Sequence, residues 1–287
     1  ILNCPEPLDE LPSSIVAMLR AHAAAHPNRD FLCERDANRK WRRVTYDDVL
    51  KAANSISQAL LDSGHGVDRP LAILSDNSID QVFVIFGCMT VGVPVMPVSP
   101  AYSLMSQDHE KLKNVIWHND PSAIFIENPE TFEGAIDALD WSGRTLVTSK
   151  GTAGIKGAVS LSEWLSVMPR TALENAASRI DLDTIGKILL TSGSTGLPKG
   201  VLNTHRMMVS NQVSIAQIYE FLRDEPPVFL DWLPWNHTFG GNYNFNMVLH
   251  NGGTLYIDEG RPVPGLVEAT IDNLREISPT LYLNVPR

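Results

Sequence analysis

Short, uninterrupted apolar runs set between longer helical patterns fix the fold class of this chain. LAIL at Leu71–Leu74, AIFI at Ala123–Ile126, TLVT at Thr145–Thr148 and KILLT at Lys187–Thr191 are each of strand length. A strand that is apolar at successive positions has both faces to bury, because its side chains alternate between them. Helices between such strands supply that cover, so the pattern predicts a parallel, helix-covered α/β sheet.

The helical stretches carry their own start and stop signals. Ser13 or Ser14 caps a helix running to about His26, where Pro27 stops it. Thr45 with Asp48, and Ser78 with Gln81, read as capping boxes opening helices that close near Gly64 and Gly92. Further helices are expected at Gln107–Trp117, Pro129–Leu139, Leu161–Val167, Thr204–Leu222, Asn242–Leu249 and Pro264–Glu276. Strands PVMPV, VFLDWL, GTLYI and TLYLNV complete the alternation. Ser149–Ser160, SKGTAGIKGAVS, is rich in small residues and reads as a loop or boundary. Residues 1–180 are expected to form a first α/β subdomain and 181–287 the start of a second. There is no internal repeat.

Composition excludes several classes. A net charge of −10 argues against a nucleic-acid partner, which needs a basic surface. The most apolar stretch, Val82–Met96, holds two glycines and a proline and is too short and broken to span a bilayer. Asn3, Glu6, Asp9 and Glu10 stand where a signal peptide would have a basic start and an apolar run. Cys4, Cys33 and Cys88 form no CxxC pair, which fits a reducing cytoplasm and gives neither a disulfide framework nor a zinc site.

The strongest chemical signal is TSGSTGLPKGV at Thr191–Val201, directly after KILL. Gly193, Gly196 and Gly200 let the backbone turn sharply and bring N–H groups close to an anion. Thr191, Ser192, Ser194 and Thr195 add hydroxyl donors, Lys199 a positive charge suited to phosphate oxygens, and Pro198 stiffens the chain beside it. A plain Gly/Ser linker is the bland alternative, but linkers seldom sit between a buried strand and a helix. A Walker A loop does not fit. Counting from Gly193, the sixth position is Pro198, and Gly200 follows the lysine where Ser or Thr is required.

TSGSTGLPKG resembles the signature loop of the adenylate-forming superfamily, which includes acyl-CoA synthetases, luciferases and peptide-synthetase adenylation domains. The resemblance extends to VTYDDVLKAANSISQAL and VGVPVMPVSPAY. VMPVSPAYSLMS at Val95–Ser106 and DWLPWNHTFGGNYNF at Asp231–Phe245 look closest to the feruloyl-CoA synthase branch. It implies the layered, parallel-sheet N-terminal domain of that fold, incomplete, with Thr191, Ser192, Gly193, Ser194, Thr195, Gly196 and Lys199 holding ATP phosphates. It also implies an acyl-substrate pocket at His237, Phe239 and Gly240. The histidine would bond a substrate oxygen, the phenylalanine would pack an aromatic or alkyl group, and Gly240 and Gly241 would keep the pocket open. ATP, Mg²⁺ and coenzyme A are the implied cofactor and co-substrates; the metal ligands are unknown. An adenylation lysine is expected beyond Arg287, in a C-terminal domain this chain lacks, so no catalytic residue is identified here.

Other residues invite blander readings. His22 and His26 form HAAAH, which has the spacing of a zinc-protease helix but puts Ala23 where its glutamate belongs. His205 either positions the phosphate loop or is solvated at a helix start. Asp76 and Asp80 favour a helix N-terminus. Met96, Met207 and Met208 look like packing, Trp232 and Trp235 like core or pocket rim, and Cys88 like an inert buried thiol.

These readings converge on part of a cytoplasmic, ATP-dependent acid–CoA ligase acting on ferulate or a related aryl acid. A medium- or long-chain fatty acyl-CoA synthetase and a truncated, non-catalytic nucleotide-binding module are the alternatives. The chain begins at Ile1, ends at Arg287 just after a strand, and is expected to be nearly inactive alone.

Overall fold

The computed structural model describes residues 6–152, 154–192 and 196–285. Among them the strands are β1 (Asp30–Arg35), β2 (Trp41–Thr45), β3 (Leu71–Leu74), β4 (Val95–Pro97), β5 (Ala123–Ile126), β6 (Thr145–Thr148), β7 (Val159–Ser160), β8 (Ile185–Ser192), β9 (Pro198–Thr204), β10 (Val228–Asp231) and β11 (Thr254–Ile257). They form a seven-stranded sheet ordered β7-β6-β5-β3-β4-β8-β9 and a four-stranded sheet ordered β10-β11-β1-β2. Pairing is parallel except for β1–β2 and β8–β9. The sheet is therefore mixed, with an antiparallel strand at the outer edge of each layer. Each sheet takes strands from both sides of residue 180.

The all-apolar runs are explained by two cores. Leu71, Ile73, Val95, Ala123, Phe125 and Val147 face one, shared with Phe31, Phe229 and Leu255 of the four-stranded sheet. Ala72, Leu74, Met96, Ile124, Ile126 and Leu146 face the other, against Leu112, Val115 and Ile116 of helix Glu110–Asn119. Alternate residues thus meet opposite covers, so these strands are apolar at successive positions.

Between the sheets lie helices Ile15–Ala25, Tyr46–Asp62, Ile79–Thr90, His205–Ile218 and Phe245–His250. Their caps follow the sequence closely. Ser14 accepts from Ala17, and Thr45 and Asp48 form a complete capping box. Ser78 accepts from the Gln81 N–H, but Gln81 does not return the bond, and its Oε1 has no partner among the described residues. Gly87 lets two helices touch, since a Cβ there would lie 2.5 Å from Ile56 Cγ2.

Several elements depart from the pattern. The hairpin β1–β2, helix Thr171–Ala177 and strand β9 were not expected; β1 holds only the short apolar run Phe31–Cys33, and β2 and β9 hold none of strand length. TLYLNV is no strand; it makes one bridge, Phe229 to Leu281. The helix expected over Asn242–Leu249 begins as a π-helix at Phe239–Asn244 and turns α at Phe245–His250. Among the described residues no helix is long and apolar enough to cross a membrane.

Candidate active site

The phosphate-loop segment is the tip of a β-hairpin. β8 runs out through Thr191 and Ser192, and β9 returns from Pro198, with Thr191 opposite Lys199. The expected strand–loop–helix order is corrected to strand–loop–strand; helix His205–Ile218 starts only after β9. Pro198 lies at the first residue of an outermost strand, where a missing N–H breaks little of the ladder. Gly196 has φ +82, open space where a Cβ would stand, and so a conformation that suits glycine. Thr191 Oγ1 donates to the Lys199 carbonyl at 3.4 Å, and the Lys199 side chain is exposed. Gly193, Ser194, Thr195 and the Ser192 side chain lie outside the described residues.

The second segment follows β10. His237 is exposed, and its Nδ1 accepts from the Phe239 N–H at 3.3 Å. A neutral ring with Nδ1 as acceptor carries its proton on Nε2, which leaves that N–H as a donor. Phe239 is half-buried and meets Tyr243 at 5.4 Å between ring centroids. Gly240 and Gly241 are buried. A Cβ on Gly240 would sit 2.6 Å from the Leu233 and Pro234 carbonyls, and one on Gly241 would meet the Trp235 carbonyl. The glycine pair thus permits a close approach of two backbone segments.

Side-chain bonds join the two segments. Lys187 of β8 donates from Nζ to the Gly241 carbonyl and to Asn242 Oδ1, both at 3.0 Å. Asn242 Nδ2 donates to Asn203 Oδ1 of β9 at 2.9 Å. Gln212 Nε2, from helix His205–Ile218, donates to the Asn242 carbonyl at 2.8 Å. None of Lys187, Asn203, Gln212 or Asn242 was singled out from sequence. A lone charge in the apolar run KILL was the one available signal.

β3 connects to β4 on one side and β4 to β5 on the other, so the chain reverses direction across the sheet between β3 and β5. Ligands of open α/β sheets bind outside the carboxyl ends of strands at such a point. A crevice of about 680 Å³ opens there, lined among others by Asp76, Asn77, Glu127, Lys150, Asp258 and Arg261. Arg261 Nη2 reaches Asp76 at 3.0 Å, joining the two sheets across it. Lys150 Nζ meets Glu127 at 2.9 Å, and Ser75 Oγ donates to the same carboxylate at 2.8 Å. Asp76 is therefore a sheet-to-sheet tie, while Asp80 stays in the first turn of its helix and pairs with Arg42.

The chain matches the AMP-binding enzyme family over residues 19–287. It belongs to that family. Among curated relatives, it is 27% identical over 168 residues to bacitracin synthase 2 of Bacillus licheniformis, covering 58% of this chain and 5% of that one. It is 23% identical over 278 residues to long-chain-fatty-acid–CoA ligase 1 of Homo sapiens, covering 91% of this chain and 38% of that one. The fold is shared with the fatty acyl-adenylate ligase from L. pneumophila in complex with acyl adenylate and pyrophosphate, at TM-score 0.67 and 18% identity, over 92% of this chain and 42% of that one. The chain thus spans only a minor part of the curated relatives it matches, and the layered α/β fold is the one expected of this family's N-terminal domain.

The blander candidates resolve on geometry. His22 Nε2 bonds the His250 carbonyl at 3.1 Å and packs on Tyr46. Among the described residues no three His, Cys, Asp or Glu side chains cluster to hold a metal. His205 is neither solvated nor turned to the loop. It is fully buried, its Nδ1 accepts from the Ile15 N–H at 3.3 Å, and burial lowers its pKa to about 4. Trp235 is buried edge-on against Phe245, and Trp232 lies on the crevice rim. Met96 and Met208 are core residues, whereas Met207 is exposed. Cys88 is fully buried, and burial pushes its thiol pKa up, which leaves it inert.

Proposed function

We propose that this chain is the phosphate- and acid-binding part of an ATP-dependent acid–CoA ligase. The observation that carries the reading is the tie between the β8–β9 hairpin and the His237–Phe239 turn, made by Lys187 and Asn242. It ties the hairpin proposed to bind phosphates to the turn proposed to border the acid, where His237 Nε2–H would be the donor and Phe239 the aromatic wall.

A carboxylate is a poor electrophile. In the proposed reaction its oxygen attacks the α-phosphorus of ATP, an O–P bond forms, and the bond to the β-phosphate oxygen breaks to release pyrophosphate. The sulfur of coenzyme A then attacks the acyl carbon, and AMP leaves. Catalysis of this kind is mainly positioning and charge stabilisation. Lys199 and the hairpin-tip donors Thr191, Ser192, Gly193, Ser194, Thr195 and Gly196 would hold the departing phosphates. His237 Nε2–H would orient a carboxylate oxygen, with Phe239 and Gly240 bordering the acid. The described residues build no three-ligand metal cage, so Mg²⁺ would arrive with the nucleotide phosphates, and no step is assigned to it. A cytoplasmic setting belongs to the same proposal.

For the acid, the aromatic pair Phe239 and Tyr243 supports ferulate or a related aryl acid. A fatty acid is the second reading, favoured by relatives named as long-chain-fatty-acid–CoA ligases. The test is pyrophosphate release by the full-length protein with MgATP and ferulate, 4-coumarate, benzoate or octanoate in turn, with Lys199→Ala as control. Release with the hydroxycinnamates, lost in the variant, supports the aryl reading. Release with octanoate alone transfers it to fatty acids. Release unchanged in Lys199→Ala would remove the hairpin from the reaction.

A further inference from the structure

Lys187 is an unusual residue in its place. It sits on β8, one strand in from the sheet edge, between β4 and β9, and is 4% exposed. Burying an ammonium costs several kcal/mol unless it is well partnered. No carboxylate among the described residues contributes to its environment, where burial lowers its pKa to about 8. Its partners are two neutral oxygens, the Gly241 carbonyl and Asn242 Oδ1. A methionine or leucine would fill the space without that desolvation.

The backbone has been shaped to deliver it. The β8–β9 register shifts between Ile185 and Lys187, so Gly186 is a bulged residue. Bulges re-aim side chains and are over-represented next to active sites. Gly186 faces His205 and Met208 of helix His205–Ile218, and a Cβ there would lie 2.9 Å from Met208 Cε. Lys187 reaches into the same layer, where Gln212 of that helix also ends.

What Lys187 meets there is the π-helix Phe239–Asn244. Such turns are rare single wide turns, frequent at functional sites, and compete with the tighter α-register. The carbonyls of Gly241 and Asn242 lie in the middle of this one, and each is held from outside by a buried side chain, Lys187 on the first and Gln212 on the second. The Gly241 N–H in turn donates to the His237 carbonyl at 2.9 Å. A chain of bonds therefore runs from β8, through Lys187 and Gly241, to the backbone of His237. Four residues beyond Lys187, about 13 Å along the strand, stands Thr191 at the hairpin tip.

We propose that Lys187 is a positioning residue that holds the π-turn open and sets the His237 imidazole and Phe239 ring in register with the phosphate-binding hairpin, so that the acid is aligned by the same strand that carries the nucleotide site. The structural half of this stands on the bonds above; the acid-aligning half rests on the proposed function.

The test uses the full-length protein with Lys187→Met, which keeps length but removes the donors, and Lys187→Arg, which keeps a donor. Backbone hydrogen exchange is followed in peptides covering 237–245, with helix Ile79–Thr90 as a reference for intact folding. Pyrophosphate release gives KM separately for the acid and for MgATP. Lys187→Met is expected to speed exchange in 237–245 at least tenfold with the reference still protected, and to raise the acid KM at least tenfold with the ATP KM within about twofold. Lys187→Arg is expected to recover part of both. Unchanged exchange in 237–245, or equal rises in the two KM values, overturns the proposal. Should Lys187→Met also lose protection in the reference helix, Asn242→Ala removes one acceptor and the Asn203 link, and is held to the same split. If the wild-type protein turns over none of the acids, the proposed function fails on its own, and exchange alone decides whether Lys187 holds the turn.

Discussion

Asn77 holds the backbone on both sides of Pro234: its Nδ2 donates to the Leu233 carbonyl at 2.9 Å, and its Oδ1 accepts from the Trp235 N–H at 3.0 Å. One side chain after β3 thereby anchors the loop after β10, and with it the stretch leading to His237. Asn77→Ala removes both bonds and leaves two backbone groups to find water. At roughly 1 kcal/mol or more per bond, the expected loss is about 2 kcal/mol. Denaturant unfolding measures it, and a change below about 0.5 kcal/mol would show that the loop holds itself.

The Gly240–Gly241 pair gives a sharper steric prediction. Gly241→Ala drives a methyl into the Trp235 carbonyl, backbone against backbone, with no side chain able to yield. Overpacking of this kind costs at least about 2 kcal/mol. Gly143→Ala is the comparison: φ is +73 but the space is open, so only the left-handed strain of about 1 kcal/mol applies. The ordering of the two denaturation midpoints is the measurement.

Lys199→Ala separates function from stability. The side chain is exposed on an outermost strand and makes no structural bond among the described residues. The melting temperature is expected to stay within about 1 °C, since surface changes of this kind fall within about 0.5 kcal/mol. Pyrophosphate release by the full-length protein is expected to fall at least tenfold.

His205 makes stability depend on acid. Burial lowers its pKa from 6.5 to about 4 in the folded chain, so the unfolded chain binds the proton first. The contribution is fully present above pH 6.5 and is lost as pH falls through 4. A shift of this size corresponds to at most roughly 3–4 kcal/mol. His205→Asn keeps an acceptor for the Ile15 N–H without a titration, and is expected to flatten the fall in urea midpoint between pH 7 and pH 4.5. Equal slopes for the two proteins would assign the acid sensitivity elsewhere.

What the sequence revealed, and what it hid, divides by range. Ser14, Thr45 and Ser78 cap their helices through bonds to N–H groups three residues on, so local sequence suffices. The doubly covered strands announce themselves because Ala72 and Ile73 meet different cores and both must be apolar. The hairpin β1–β2 escaped because Arg42 and Arg43, paired with Glu34 and Asp30 of β1, break any apolar run in β2. β9 escaped because it opens on Pro198 and is largely exposed. At the site, His237 and Phe239 sit in a recognisable string. Lys187 and Asn77 act on partners 54 and 156 residues away, and no local pattern records such a bond.

The four-stranded sheet has a consequence for synthesis on the ribosome. β1 pairs in parallel with β11, and Thr254 Oγ1 donates to the Asp30 carbonyl 224 residues earlier. At translation speeds of about 5–20 residues per second, β1 must wait on the order of 10–45 s for that partner to emerge. Phe31 and Leu32, fully buried in the finished fold, spend that interval beside an unfilled neighbour position. Strand β1 therefore cannot complete its sheet pairing until nearly the whole of this stretch of chain has been made.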